Sequence, residues 1–247
     1  MGQHLTGKVA LVTGASRGIG RAIALRLAAD GAAVVVNFAG GAQQAAETVT
    51  AIERAGGKAV AVQADVSKVA DVRRLFDATF ERFGRLDIVV NNAGALLTKP
   101  VVEVTEEEYD RLFGVNVKGT FFSSQEAAKR LANDGRIINF SSSTTAMMLP
   151  GYAAYVATKG AVEQLSHVLA KEVGARGITV NVVSPGPTDT ELFSQGKTEE
   201  QKQYYAKMAA LGRLGTPEDI AAVVSMLAGP DSRWITGQNI RVNGGLI

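Results

Sequence analysis

Seven short runs of aliphatic and β-branched residues recur along this chain, with a stretch of helical spacing between each and the next. They are Lys8–Thr13 (KVALVT), Ala33–Asn37 (AVVVN), Lys58–Gln63, Leu86–Asn91 (LDIVVN), Arg136–Ser141 (RIINFS), Ile178–Val183 (ITVNVV) and Asn239–Val242. The runs are continuously apolar rather than alternating, which predicts strands buried on both faces. Helical stretches predicted between them include Gly18–Asp30, Ala42–Ala55, Val69–Phe83 and Tyr152–Val173. Crossovers of this length impose a parallel sheet covered on both sides. The expected fold is α/β: one doubly wound, Rossmann-type domain over residues 1–247, with a seven-stranded parallel sheet flanked by helices.

The punctuation agrees. Gly31 and Gly56-Gly57 stop helices, and Thr105–Glu108 reads as a capping box opening a long one. Thr216-Pro217-Glu218-Asp219 opens another, with proline suited to its first turn. Pro185–Gly215 is the one long irregular stretch, with a short helix begun by Thr198–Gln201. Segment 188–213 is expected to act as a lid.

Composition narrows the function. The chain lacks cysteine, so disulfides, thiolate nucleophiles and cysteine metal sites are excluded. Its two histidines, His4 and His167, give no metal-ligand spacing. With 26 basic and 24 acidic residues and no long block of one sign, nucleic acid is not an expected partner. No apolar run of membrane-spanning or signal-peptide length appears, so a cytoplasmic location is expected.

Thr13-Gly14-Ala15-Ser16-Arg17-Gly18-Ile19-Gly20 lies between the first strand and the first helix. Gly14 permits a tight turn, Gly18 admits a pyrophosphate near the backbone, and Gly20 lets helix and strand pack closely. The helix N-terminus then meets phosphate with free N–H groups. An acidic residue closing the second strand would bind an adenosine ribose and repel a 2′-phosphate; Asn37 stands there instead. Arg17, within the turn, matches phosphate geometry, although a solvated surface arginine is the plainer alternative. Both features favour NADP(H).

Tyr155 and Lys159 are four residues apart on one predicted helix, so they share a face. Ser142 ends the fifth strand, at the carboxyl edge where such sheets bind ligands. Carbonyl reduction needs a hydride to carbon and a proton to oxygen. A tyrosine could deliver that proton if the Lys159 ammonium lowers its pKa, and the Ser142 hydroxyl could hold the oxygen. Ser141 and Ser143 leave the register of the serine open.

Taken together, Thr13–Gly20, Asp65-Val66, Asn91-Asn92-Ala93-Gly94, Asn116, Ser142, Tyr155-x-x-x-Lys159 and Pro185-Gly186 resemble the short-chain dehydrogenase/reductase family over nearly the whole chain. The resemblance implies that Asp65 and Val66 hold the adenine, and that Asn91, Ala93 and Gly94 line the cofactor and steady the central strand. Asn116 would kink its helix and hold a water linking Lys159 to solvent. Lys159 would also bind the nicotinamide ribose, and Pro185, Gly186, Thr188 and Thr190 would pass along the nicotinamide. The family usually carries isoleucine or valine where Thr188 stands. Gly14, Ser16, Arg17, Gly18, Ile19, Gly20 and Asn37 complete the expected cofactor contacts, and Asn116, Ser142, Tyr155 and Lys159 the catalytic set.

The resemblance further implies a homotetramer and a small-molecule carbonyl or alcohol substrate. Leu192, Phe193, Tyr204 and Met208 suit an apolar substrate portion. Carbonyl reductase is the favoured reading. A 3-oxoacyl-[acyl carrier protein] reductase is the alternative, through Lys129 and Arg130. A non-catalytic NADP-binding sensor, or an isomerase or dehydratase on the same scaffold, ranks lower.

Overall fold

The computed structural model describes residues 3–247. Seven parallel strands form one sheet: β1 (Val9–Val12), β2 (Ala33–Phe38), β3 (Lys58–Gln63), β4 (Ile88–Asn91), β5 (Arg136–Phe140), β6 (Thr179–Pro185) and β7 (Asn239–Val242). Their order is β3-β2-β1-β4-β5-β6-β7. The direction of winding reverses between β1 and β4, which leaves a crevice above their carboxyl ends.

The helices are α1 (Gly18–Ala29), α2 (Ala42–Arg54), α3 (Val69–Phe83), α4 (Glu106–Phe113), α5 (Thr120–Arg130), α6 (Thr144–Met147), α7 (Ala153–Val173), α8 (Glu191–Ser194), α9 (Glu199–Met208) and α10 (Pro217–Ala228). Two cores explain why the strands are apolar throughout. On one face Ala10 and Val12 pack with Ile23 and Leu27 of α1, Ile52 of α2 and Ile220 and Val224 of α10. On the other, Val9 and Leu11 pack with Leu75 and Phe76 of α3, Ala127 of α5 and Leu169 of α7. Successive residues of β1 thus face opposite cores, as the pleat requires.

Three capping boxes are present. Thr105 pairs with Glu108 at α4, Thr198 with Gln201 at α9 and Thr216 with Asp219 at α10. The long helix expected after Thr105 is instead divided. A π-helical segment, Gly114–Gly119, separates α4 from α5, and its extra residue per turn carries Asn116 inward, fully buried. Two helices of four residues, α6 and α8, were not legible in the sequence, because one turn is too short to show a period. Among the described residues no helix is long and apolar enough to cross a membrane.

Candidate active site

A cleft of about 450 Å³ opens over the carboxyl ends of the central strands. Gly14, Ser16, Arg17, Gly18, Ile19, Gly20, Asn37, Asp65, Val66, Ala93, Gly94, Ser142, Tyr155, Lys159, Pro185, Gly186, Thr188 and Thr190 all line it. Of the expected site residues, Asn91 and Asn116 do not.

The glycine turn is fixed by close backbone contact. Gly14 sits at φ +63°, and a Cβ there would lie 3.0 Å from the Ala93 Cα. A Cβ at Gly20 would strike the Gly14 carbonyl oxygen. The Asn92 amide nitrogen donates to the carbonyls of Thr13 and Gly14, at 2.9 and 3.2 Å, and braces the turn from β4. No side chain caps the N-terminus of α1, so its first N–H groups remain available to the cleft. Free donors beside an unobstructed backbone fit a dinucleotide pyrophosphate.

Asn37 serves the scaffold more than the cleft. Its amide nitrogen donates to the carbonyls of Val62 and Ala64, at 3.2 and 3.0 Å, and its oxygen accepts from the Gly14 N–H at 3.4 Å. Its bearing on cofactor choice is therefore the absence of a carboxylate, not a contact of its own. Arg17 is exposed and lies 3.5 Å from the Glu191 carboxylate, an ion pair open to solvent. Asp65 accepts from the Ser67 backbone and hydroxyl, at 3.0 and 2.7 Å, which shapes the turn after β3.

Asn91 needs correcting. The sequence reading sets it along the cofactor, but it is buried between β4 and α5. It donates to Asn139 Oδ1 at 2.8 Å and to Ser124 Oγ at 3.2 Å. Its own oxygen has no partner. A strand-end asparagine alternates in facing, and the next residue, Asn92, is the one that reaches the cleft. Asn116 accepts from the Ala95 N–H at 2.8 Å and donates to Ala95 O at 2.9 Å and Thr158 Oγ1 at 3.1 Å. It ties the π segment to the loop after β4 and to α7.

Tyr155 and Lys159 share a face of α7, with Lys159 Nζ 5.6 Å from the Tyr155 ring centre. Lys159 is buried and donates to Phe140 O at 3.0 Å. The three consecutive serines have separate partners. Ser141 donates to Glu163 at 2.6 Å and Ser143 to Ser184 O at 3.2 Å, while Ser142, which accepts from Thr144, lines the cleft together with Tyr155.

The expected lowering of the Tyr155 pKa is not what this geometry produces. Burial pushes the phenol up to about 12; the Ser142 hydrogen bond pulls it down and the neighbouring Tyr152 pushes it further up. The same burial brings the Lys159 ammonium down to about 8. Both groups lie in one low-dielectric wall, where each charged form is disfavoured. The cleft as it stands holds a neutral phenol, a proton donor.

The outer cleft is lined by Leu96, Met147, Leu149, Tyr152, Leu192, Phe193, Lys197 and Tyr205. Tyr152 and Tyr205 both line this part, and Tyr205 meets Phe193 edge-on at 5.5 Å. Of the apolar residues expected here, Leu192 and Phe193 are in place. Tyr204 lines an adjoining outer hollow instead, and Met208 lines neither. Tyr152, Met147 and Leu149 carried no sequence signal for the cleft, since the path of the chain between β5 and α7 brings them there. Among the described residues no cluster of His, Asp and Glu could hold a metal.

The family described as Enoyl-(Acyl carrier protein) reductase matches residues 14–247. An uncharacterized oxidoreductase of Methylorubrum extorquens is 50% identical over 244 residues, 98% of each chain. A hydroxynaphthalene reductase-like protein of Metarhizium robertsii is 45% identical over 258 residues, spanning 99% of this chain and 97% of its own. A short-chain dehydrogenase of Burkholderia cenocepacia, solved in complex with NADP, superposes with a TM-score of 0.94 at 40% identity, over 98% of this chain and 99% of its own. Fold, cleft and sequence agree, and the chain belongs to the short-chain dehydrogenase/reductase family of oxidoreductases.

Proposed function

We propose that the protein reduces a ketone or aldehyde to the alcohol, with NADPH as cofactor and Tyr155 as proton donor. The observation that carries this reading is the juxtaposition of a neutral phenol, a serine hydroxyl and a buried lysine at the inner end of one dinucleotide-shaped cleft. Bound NADPH supplies the hydride. Tyr155 gives its proton to the carbonyl oxygen as negative charge builds there, and Ser142 donates a hydrogen bond to the same oxygen. Lys159 holds the nicotinamide ribose and returns a proton toward Tyr155; Asn116 fixes the π segment against the helix carrying both.

Support for NADP(H) comes from the NADP-bound neighbour, the missing carboxylate at Asn37 and the exposed Arg17 guanidinium beside the turn. Asp65, Val66, Ala93, Gly94, Pro185, Gly186, Thr188 and Thr190 form the rest of the cofactor wall. Residues 188–213 serve as a lid. Its aromatic lining, Phe193 and Tyr205 with Tyr152 opposite, suits a ketone attached to an aromatic ring, and the hydroxynaphthalene reductase-like relative supports that class.

Two ion pairs favour the carbonyl-reductase reading over the carrier-protein one. Lys129 pairs with Glu126 at 3.4 Å and Arg130 with Asp77 at 2.7 Å, leaving little uncompensated charge to meet an acidic partner. Exposed Tyr109, Phe121 and Val168, on α4, α5 and α7, support self-association, for which a homotetramer is the proposed form.

Loss of the reduced-nicotinamide absorbance with aryl ketones, simple aldehydes and a 3-oxoacyl thioester tests the substrate order. Faster turnover of aryl ketones is expected. A preference for the thioester would overturn it in favour of the carrier-protein reading.

A further inference from the structure

Ser142 Oγ receives two hydrogen bonds from a single residue. The Thr144 N–H donates to it at 3.2 Å and the Thr144 hydroxyl at 2.9 Å. A serine hydroxyl has one proton and two lone pairs. With both acceptor positions filled from behind, the Ser142 proton is left to point into the cleft, which Tyr155 also lines. We infer that Thr144 is a positioning residue that locks Ser142 as a hydrogen-bond donor to the oxygen Tyr155 protonates. This rests on the reductase reading above.

The surroundings make the lock rigid. Glu163, one turn beyond Lys159 on α7, accepts from Ser141 at 2.6 Å and from the Thr145 hydroxyl at 2.9 Å. The loop is thus gripped on both sides of Ser142 by the helix that carries the catalytic tyrosine. Thr144 Oγ1 has the reach to contact Ser142 because α6 begins with that residue. A freely rotating serine hydroxyl spends part of its time accepting, an orientation useless to a developing oxyanion. Holding the donor orientation beforehand removes that loss.

The test compares Thr144→Val, which keeps the branched shape and removes the hydroxyl, with Thr144→Ser, which restores it. Thr144→Val is expected to lower kcat roughly tenfold, a fraction of the effect of deleting an oxyanion donor outright, with KM for NADPH and ketone nearly unchanged. Thr144→Ser should recover most of the loss. In alcohol oxidation the Thr144→Val profile should need higher pH to reach its plateau, because the Tyr155 phenolate loses an oriented donor. In a Ser142→Ala background Thr144→Val should add nothing.

Losses that multiply in the double variant would overturn the proposal. So would failure of Thr144→Ser to rescue, or an effect confined to KM and melting temperature, which a merely structural threonine would give. Full turnover in Tyr155→Phe would instead sink the reductase reading itself.

Discussion

The two walls of the cleft are built by different means. The inner wall, residues 14–20 with 92–94, is backbone packed on backbone: Gly14 lies against Ala93, Gly20 against Gly14, and Asn92 stitches the carbonyls together. The outer wall, from Thr188 through α9, is side chains on short elements, and α9 has no buried residue. Close backbone packing admits one geometry and one residue type at each position. A wall of half-buried aromatic side chains on short surface elements tolerates many sequences. The cofactor end is therefore constrained by the fold and the substrate end by selection for a particular molecule.

Gly20→Ala attacks the inner wall directly and carries the largest expected effect. The new Cβ would strike the Gly14 carbonyl and crowd the Asn92 amide that braces it, so NADPH affinity should fall by about a hundredfold or the chain should fail to fold. NADPH fluorescence titration alongside a melting curve reads both; unchanged binding would mean that the wall yields.

Tyr205→Ala attacks the outer wall. It removes the edge-on contacts with Phe193 and Tyr204 and the ring that lines the cleft. KM for an aryl ketone should rise roughly tenfold, about 1.4 kcal/mol, with NADPH affinity and melting temperature nearly unchanged. A comparable loss of NADPH affinity would show that the two walls are not independent.

Arg17→Ala should raise KM for NADPH several-fold and leave NADH alone. A solvent-exposed guanidinium gives less than a buried one, so the effect is expected to stay near tenfold or below. Equal changes with both cofactors would return Arg17 to the ordinary surface.

The smallest effect concerns pH. Lys159, lowered to about 8, is charged below that pH and neutral above it. With the ammonium in its proposed role of returning protons to Tyr155, kcat/KM for reduction should be level below about pH 8 and decline above it. Lys159→Arg should move the decline upward; a profile identical to the wild type would separate the titration from Lys159.

Legibility in the sequence followed the same division. Strand runs, helix caps and the glycine turn were readable because each reflects a local rule, and α2, α3 and β3 fall within a residue of their expected bounds. Asn91 was misplaced because facing at a strand end depends on register with β5 and α5, which periodicity does not show. The family resemblance led to a kink at Asn116, but its π-helical form was hidden because one inserted residue leaves helix propensity intact. The rise of the Tyr155 pKa was hidden as well, since burial is a property of the assembled fold and spacing reveals only the lysine. Tyr152, Met147 and Tyr205 line the cleft by tertiary placement alone.

The most direct test is a single turnover of preformed enzyme–NADPH with an aryl ketone, comparing wild type with Tyr155→Phe. The phenylalanine should bind NADPH as tightly as the tyrosine while reduction slows by roughly 10²- to 10⁴-fold, the usual contribution of a positioned proton donor. Reduction at an undiminished rate in Tyr155→Phe, with NADPH fully bound, would contradict the assignment of the proton to Tyr155.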